Sequence, residues 1–193
     1  MAVASGSLPP STGRLLVKRA GHAITRQVPK SVIVVDTREQ MPYLFQGYGH
    51  WIGGVVRATL PTGDYSVQGW EALVAMERKS LADLVLSLTA SRARFLRECE
   101  RLAEIPHRAI LVEATWEEIK TPYVDSEIPS SAHPNAIAGS LAAIQARWNI
   151  PILCLSRDRG LSEEWAASWL TKVATYAWLE AQGLGRVLQE GDL

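Results

Sequence analysis

The 193-residue chain contains no apolar run approaching the ~20 residues that a bilayer-spanning helix needs. It also has no apolar core near its N-terminus of the kind that directs export. Cysteine is scarce: Cys99 falls in a helical pattern and Cys154 in an apolar strand, so both read as small core fillers rather than a disulfide or a metal pair. Together these absences point to a reducing, intracellular setting. The four histidines, His22, His50, His107 and His133, are scattered and form no ligand pair. No internal repeat or low-complexity tract is present. Net charge is missing as well, because 20 basic residues balance 20 acidic ones. That balance hides a segregation. Residues 1–30 hold Arg14, Lys18, Arg19, Arg26 and Lys30 and no acid, which leaves residues 31–193 acidic on balance. A negative body that binds nucleic acid must concentrate its positive charge locally.

What is present is ordinary for a globular chain: 47% hydrophobic and 21% charged residues. The length suits one well-buried domain. The pattern divides into a flexible basic N-terminal arm over residues 1–30, a domain over 31–183 and a C-terminal tail over 184–193. Within the arm, Arg14 to Lys30 shows no clear period, so it reads equally as a DNA-contacting arm and as a solvated tail. The β-branched run Ser31 to Asp36 predicts a buried strand, and Gly54 to Leu60 a second. Ser66 to Met76 reads as a hairpin turning at Gln68-Gly69 and running into Glu77. Ser80 is a helix N-cap with Asp83 three residues on. Helices follow over 81–88 and 92–104, then a strand at Arg108–Glu113, a short helix at 116–120 and a helix at 135–148. A strand at Ile150–Leu155 and a long helix capped by Ser162 complete the order. Trp165, Trp169 and Val173 form a stripe on that last helix, read as core or subunit contact. This order implies an α/β fold, a mixed central β-sheet flanked by helices.

The chemistry gathers around Asp64, Glu77 and Lys79. Alternation along a strand puts Glu77 and Lys79 on one face and Arg78 on the other. The hairpin brings Asp64 back to the same end. Two carboxylates and an ammonium at one sheet edge suit a divalent metal beside a phosphate, because Mg²⁺ takes oxygen ligands and keeps several waters. An acid followed by Glu-x-Lys arises by chance often enough, and only its placement at strand ends, beside Asp36, raises it above chance.

The wider pattern carries more. Asp36-x-Arg38-Glu39, Gly63-Asp64-Tyr65, Glu77-Arg78-Lys79-x₃-Asp83 and Arg94-Phe95 resemble the nuclease domain of the XPF family, the excision-repair cross-complementing group 4 domain. The resemblance covers about residues 31–180 and implies a restriction-endonuclease-like fold. It implies a Mg²⁺- or Mn²⁺-dependent endonuclease acting on flap, fork or other branched DNA in repair or recombination. By matching position, Asp36, Asp64 and Glu77 are the expected metal ligands, Lys79 the catalytic lysine, and Arg78 a further motif residue. Arg78 is expected to anchor a loop or pair with Glu39 or Asp83, and Asp83 either serves the motif or caps its helix. Arg38, Arg92 and Arg94 are the expected DNA contacts. Arg97 and Arg101 are open to neutralisation by Glu98, Glu100 and Glu104 at helical spacing.

Many members carry a C-terminal tandem helix-hairpin-helix module, and only ten residues follow Gly183 here. Substrate choice is therefore expected to rest on a partner subunit, on homodimerisation or on the basic arm, and a small form suggests a bacterial or phage setting. The alternative reading is a non-cleaving DNA-binding partner of an active nuclease. Such a partner is expected to have lost the acidic or Glu-Arg-Lys residues, and all are present.

Overall fold

The computed structural model describes residues 12–19, 22–123 and 132–182, with side chains from Val28 onward. The strands are β1 (Thr12–Arg19), β2 (His22–Pro29), β3 (Ser31–Asp36), β4 (Ile52–Ala58), β5 (Tyr65–Val67), β6 (Val74–Ser80), β7 (His107–Glu113) and β8 (Ile152–Cys154). The helices are α1 (Leu81–Leu88), α2 (Arg92–Ala103), α3 (Trp116–Lys120), α4 (Pro134–Trp148) and α5 (Arg159–Ala181). Six strands form one mixed sheet in the order β4-β3-β5-β6-β7-β8. β3 runs parallel to β4 and antiparallel to β5, whereas β6, β7 and β8 run parallel. None of the described helices is long and apolar enough to cross a membrane.

Side-chain alternation on the middle strands builds a core on each face. Ala75, Ile110 and Val112 face α1, α2 and α4 and meet Leu84, Phe95, Cys99, Ile137 and Leu141. Val74, Met76 and Leu111 face the other way and meet Ala166, Ala167, Leu170 and Ala174 of α5. Because helices or loops cover both faces, the inner strands need apolar residues at nearly every position, and that is why β3 and β7 read as unbroken runs. Trp165 and Trp169 stack with ring centroids 6.1 Å apart and pack against the second core together with Val173. The stripe is core. Cys99 is likewise a buried filler.

Two sequence expectations are corrected. Residues 14–30 were expected to lack regular structure, yet β1 and β2 pair antiparallel from Thr12↔Pro29 to Arg19↔His22 as a separate two-stranded sheet. The adjacent pair Leu15-Leu16 breaks the period-2 pattern in the single strand, so only the pairing reveals it. The long helix starts one turn earlier than expected, with Asp158 as its N-cap accepting from the Gly160 amide at 2.8 Å. Ser162 is buried inside the helix, its hydroxyl donating to the Ser156 carbonyl at 3.0 Å. An aspartate satisfies a first-turn amide as well as a serine does, and Gly160 between the two positions does not stop the helix. Asp83 closes the cap of α1: its amide donates to Ser80 Oγ at 3.1 Å and its carboxylate accepts from that hydroxyl at 2.7 Å. The helix-cap alternative holds.

Candidate active site

The site is assembled where β3 ends and β5 begins, with β6 paired to the far side of β5. Gly63 turns the chain with φ +77°, a conformation that L side chains disfavour. A Cβ there would lie 3.0 Å from the Met76 carbonyl oxygen. That same oxygen accepts the Asp64 amide at 2.8 Å, and the Asp64 carbonyl accepts the Asp36 amide at 2.8 Å. Backbone hydrogen bonds thus register Asp64 against both β6 and the end of β3. Asp64 Oδ2 then accepts from the Arg78 amide at 2.7 Å.

On the same side of β6, Lys79 Nζ donates to Glu77 Oε1 at 2.6 Å and sits 5.2 Å from the centroid of the Phe95 ring. Glu98 on α2 approaches the same ammonium at 3.9 Å and accepts from Arg94 Nε at 3.2 Å. Burial, followed by the charge of Glu77, pushes the Asp64 carboxyl up to about 8. Burial also raises Glu77, against the opposing pull of Lys79. Burial and the neighbouring negative charge together disfavour ionising both carboxylates, and Lys79 offsets them only in part. Such a donor set fits a divalent metal, since Mg²⁺ is held by one or two carboxylates with waters completing its shell. No group of three or more metal-ligating side chains forms among the described residues.

Asp36, the third expected ligand, is engaged elsewhere. It is 1% exposed. Its Oδ1 accepts from the Arg38 amide and from Arg38 Nε, both at 2.7 Å. Its Oδ2 accepts from Arg38 Nη2 at 2.9 Å and from the Leu60 amide at 2.7 Å. Burial works to raise this carboxyl, but the Arg38 guanidinium and the two amides together hold it down at about 2. Arg38 also reaches the Leu60 carbonyl at 2.7 Å. The two residues clamp the β3 end to the segment after β4, and both line a cavity of about 200 Å³ that also takes in Asp64, Glu77 and Lys79. A larger adjoining groove of about 410 Å³ runs past Asp64, Lys79, Asp83 and Arg94. Arg94 is mostly exposed there, whereas Arg92 bonds Ser140 of α4 at 2.9 Å.

Arg78 points to the opposite side, as alternation requires, and is 8% exposed. It pairs with Glu39 at 3.2 Å and with Glu113 at 2.8 Å. Of the two acids expected for it, Glu39 is the partner and Asp83 is not. Glu113 also accepts from the Tyr43 hydroxyl at 2.6 Å and from Arg159 at 3.3 Å. Arg159 Nη2 in turn holds the Met41 carbonyl at 2.8 Å. Sequence reasoning missed Glu113, Tyr43 and Arg159 as one group. The only signal was an acid ending an apolar strand, and its partners lie 46 and 70 residues away. Glu98, one of three acids open to neutralising Arg97 and Arg101, instead bonds Arg94 and approaches Lys79.

A profile of the ERCC4 domain matches residues 35–169, more than half of the chain. The chain belongs to the ERCC4 domain family. This ERCC4 domain shares its fold with XPF from Aeropyrum pernix, at a TM-score of 0.57 and 23% identity over 75% of this chain and 61% of that one. A second structure, XPF from Aeropyrum pernix in complex with DNA, aligns at a TM-score of 0.55 and 23% identity, covering 76% of this chain and 66% of that one. The present chain thus spans less than two thirds of those structures. A search of curated proteins gives no significant match. The mixed six-stranded sheet with helices on both faces is the restriction-endonuclease-like architecture expected from the motifs.

Proposed function

We propose that this ERCC4 domain is a divalent-metal-dependent endonuclease that hydrolyses phosphodiester bonds in branched DNA. The observation that carries the reading is the pairing of Asp64 with Glu77 beneath Lys79, two carboxylates whose raised proton affinity a divalent cation would relieve. A cation bound there supplies charge neutralisation at the phosphate and a water acidified enough to attack it. Asp64 and Glu77 would hold it. Lys79, anchored by Glu77 and the Phe95 face, is placed to orient the nucleophile or to meet charge developing on the phosphate oxygens. Arg38 and Arg94, both open to the groove, are the candidates for neighbouring phosphates and carry no base specificity.

A second reading, the non-cleaving partner subunit, is favoured by one observation. Every side-chain bond of Asp36 goes to Arg38 or the Leu60 amide, so of the three expected ligands only Asp64 and Glu77 are not already held by a guanidinium. The test is cleavage of end-labelled flap, fork, duplex and single-stranded DNA with Mg²⁺, Mn²⁺ or EDTA, by wild type, Asp64→Ala and Lys79→Ala. The nuclease reading expects metal-dependent cutting of branched substrates by wild type alone. Tight binding without any cutting selects the partner reading, and equal cutting by all three proteins rules out this site.

A further inference from the structure

At the start of β3, the end of the sheet opposite Asp36, a second cavity of about 310 Å³ lies between the strand, the loop before β4 and α5. Its size is that of a small-ligand site. Lys30 and Lys172 supply two ammonium groups, His50 an imidazole, and Trp51 and Tyr176 aromatic rings. No carboxylate lines it among the described residues. This is the reverse of the candidate active site, where Glu39, Asp64, Asp83 and Glu98 stand among the cations.

Each lysine has one described bond, Lys30 to the Gly49 carbonyl and Lys172 to Ser168 Oγ. An ammonium carries three donors, so two on each remain for a ligand. Those bonds also steady the two cations on opposite walls. Trp51 stacks on Tyr48 with centroids 5.8 Å apart, and His50 meets its ring at 4.6 Å, so the indole is braced rather than loose. Cations that take a phosphate beside aromatic faces that take a base are the recognition set for a nucleotide without sequence readout.

We propose that this cavity binds a nucleotide of single-stranded DNA, Lys30 and Lys172 meeting its phosphates and Trp51 or Tyr176 its base. The occupant is a strand rather than a free nucleotide for two reasons. The sequence leading into Lys30 is basic, with Arg14, Lys18, Arg19 and Arg26 and no acid, so the chain before the cavity offers further charge to a longer ligand. β3 also runs from the cavity straight to Asp36, a separation of about 17 Å at 3.3 Å per residue, which one strand can span while entering the cleavage groove. The inference rests on the DNA-binding half of the proposed function and not on cleavage.

The test is fluorescence anisotropy of a labelled twelve-nucleotide oligo(dT) in EDTA, with tryptophan quenching read in parallel. Lys30→Glu/Lys172→Glu is compared with wild type and with the remote Lys120→Glu. The expected result is a tenfold or greater loss of affinity for the double variant, a salt slope lower by about 1.4 for the two lost contacts, and loss of the quench. Lys120→Glu should bind as wild type. Circular dichroism melts of Lys172→Glu, an exposed position, separate this loss from misfolding. Unchanged affinity and slope in the double variant, or no oligo(dT) binding by wild type, overturns the proposal. So does thymidine monophosphate that displaces the oligonucleotide at equal concentration, since the site would then take the free nucleotide. Oligo(dT) bound through these lysines by a protein that cuts nothing leaves this site standing while the nuclease reading fails.

Discussion

Strand β6 sends consecutive charged residues into two unlike surroundings. On one side Arg78 is enclosed by Glu39, Glu113 and the Tyr43 ring, with Arg159 completing the group, so opposite charges meet at hydrogen-bond distance. On the other, Glu77 and Asp64 share one ammonium and both hold their protons more tightly than carboxylates ordinarily do. The first side is electrostatically complete and the second is not. A complete network secures the strand, whereas an incomplete one leaves a demand for positive charge that a ligand can meet. The difference separates support from chemistry within three residues.

The largest effects should come from the incomplete side. Lys79→Ala or Glu77→Ala should lower cleavage about 10²- to 10³-fold, the scale of losing one preorganised electrostatic partner, in single-turnover assays on flap DNA with melting temperature little changed. Residual cutting within a few-fold of wild type would erase the contrast between the two sides. Next is the complete side. Arg78→Ala leaves Glu113 and Glu39 buried without their shared partner and should cost about 3–5 kcal/mol in urea unfolding. Unaltered stability with abolished cleavage would instead move Arg78 into the reacting site.

A third test uses protons and metal. The folded carboxyl of Asp64 titrates near 8, far above the 3.8 of an ordinary aspartate, so the folded state keeps a proton that the unfolded chain has released. This contribution to stability is full below about pH 4 and is lost as pH rises toward 8. Asp64→Asn should flatten that slope. Mg²⁺ at a hundredfold excess over its dissociation constant should add about 2.7 kcal/mol, or several degrees of melting temperature at about 2–4 °C per kcal/mol. The gain should be larger at pH 8 than at pH 5 and absent in Asp64→Asn. A metal response equal at both pH values would place the cation elsewhere. The smallest effect belongs to Arg94→Ala. Its pair with Glu98 is largely exposed, so stability should change by less than about 1 kcal/mol, while the salt slope of DNA binding should fall by about 1.

Much of this arrangement was readable from the chain alone because strand alternation is a local rule. It placed Glu77 and Lys79 together and turned Arg78 away toward Glu39 or Asp83, of which Glu39 is the partner. The order of strands and helices in the domain followed from apolar runs and caps in the same way. Long-range partners were not readable. Glu113 takes Tyr43 and Arg159 only because β7 lies beside β6 and α5 crosses behind it, and no local period encodes that crossing. Asp36 was placed correctly at the strand end, but its bonds depend on Leu60, brought near by the parallel pairing of β3 with β4. The β1–β2 hairpin was hidden because neither strand alternates cleanly by itself.

One oxygen atom links two constraints at the site. The Met76 carbonyl is both the acceptor that fixes the Asp64 backbone and the atom that any side chain at position 63 would strike. Enlarging Gly63 would therefore press on a bond that holds the Asp64 backbone in register with β6. A methyl group fourteen residues before Glu77 would act as a wedge in a caliper whose jaws are the two acids.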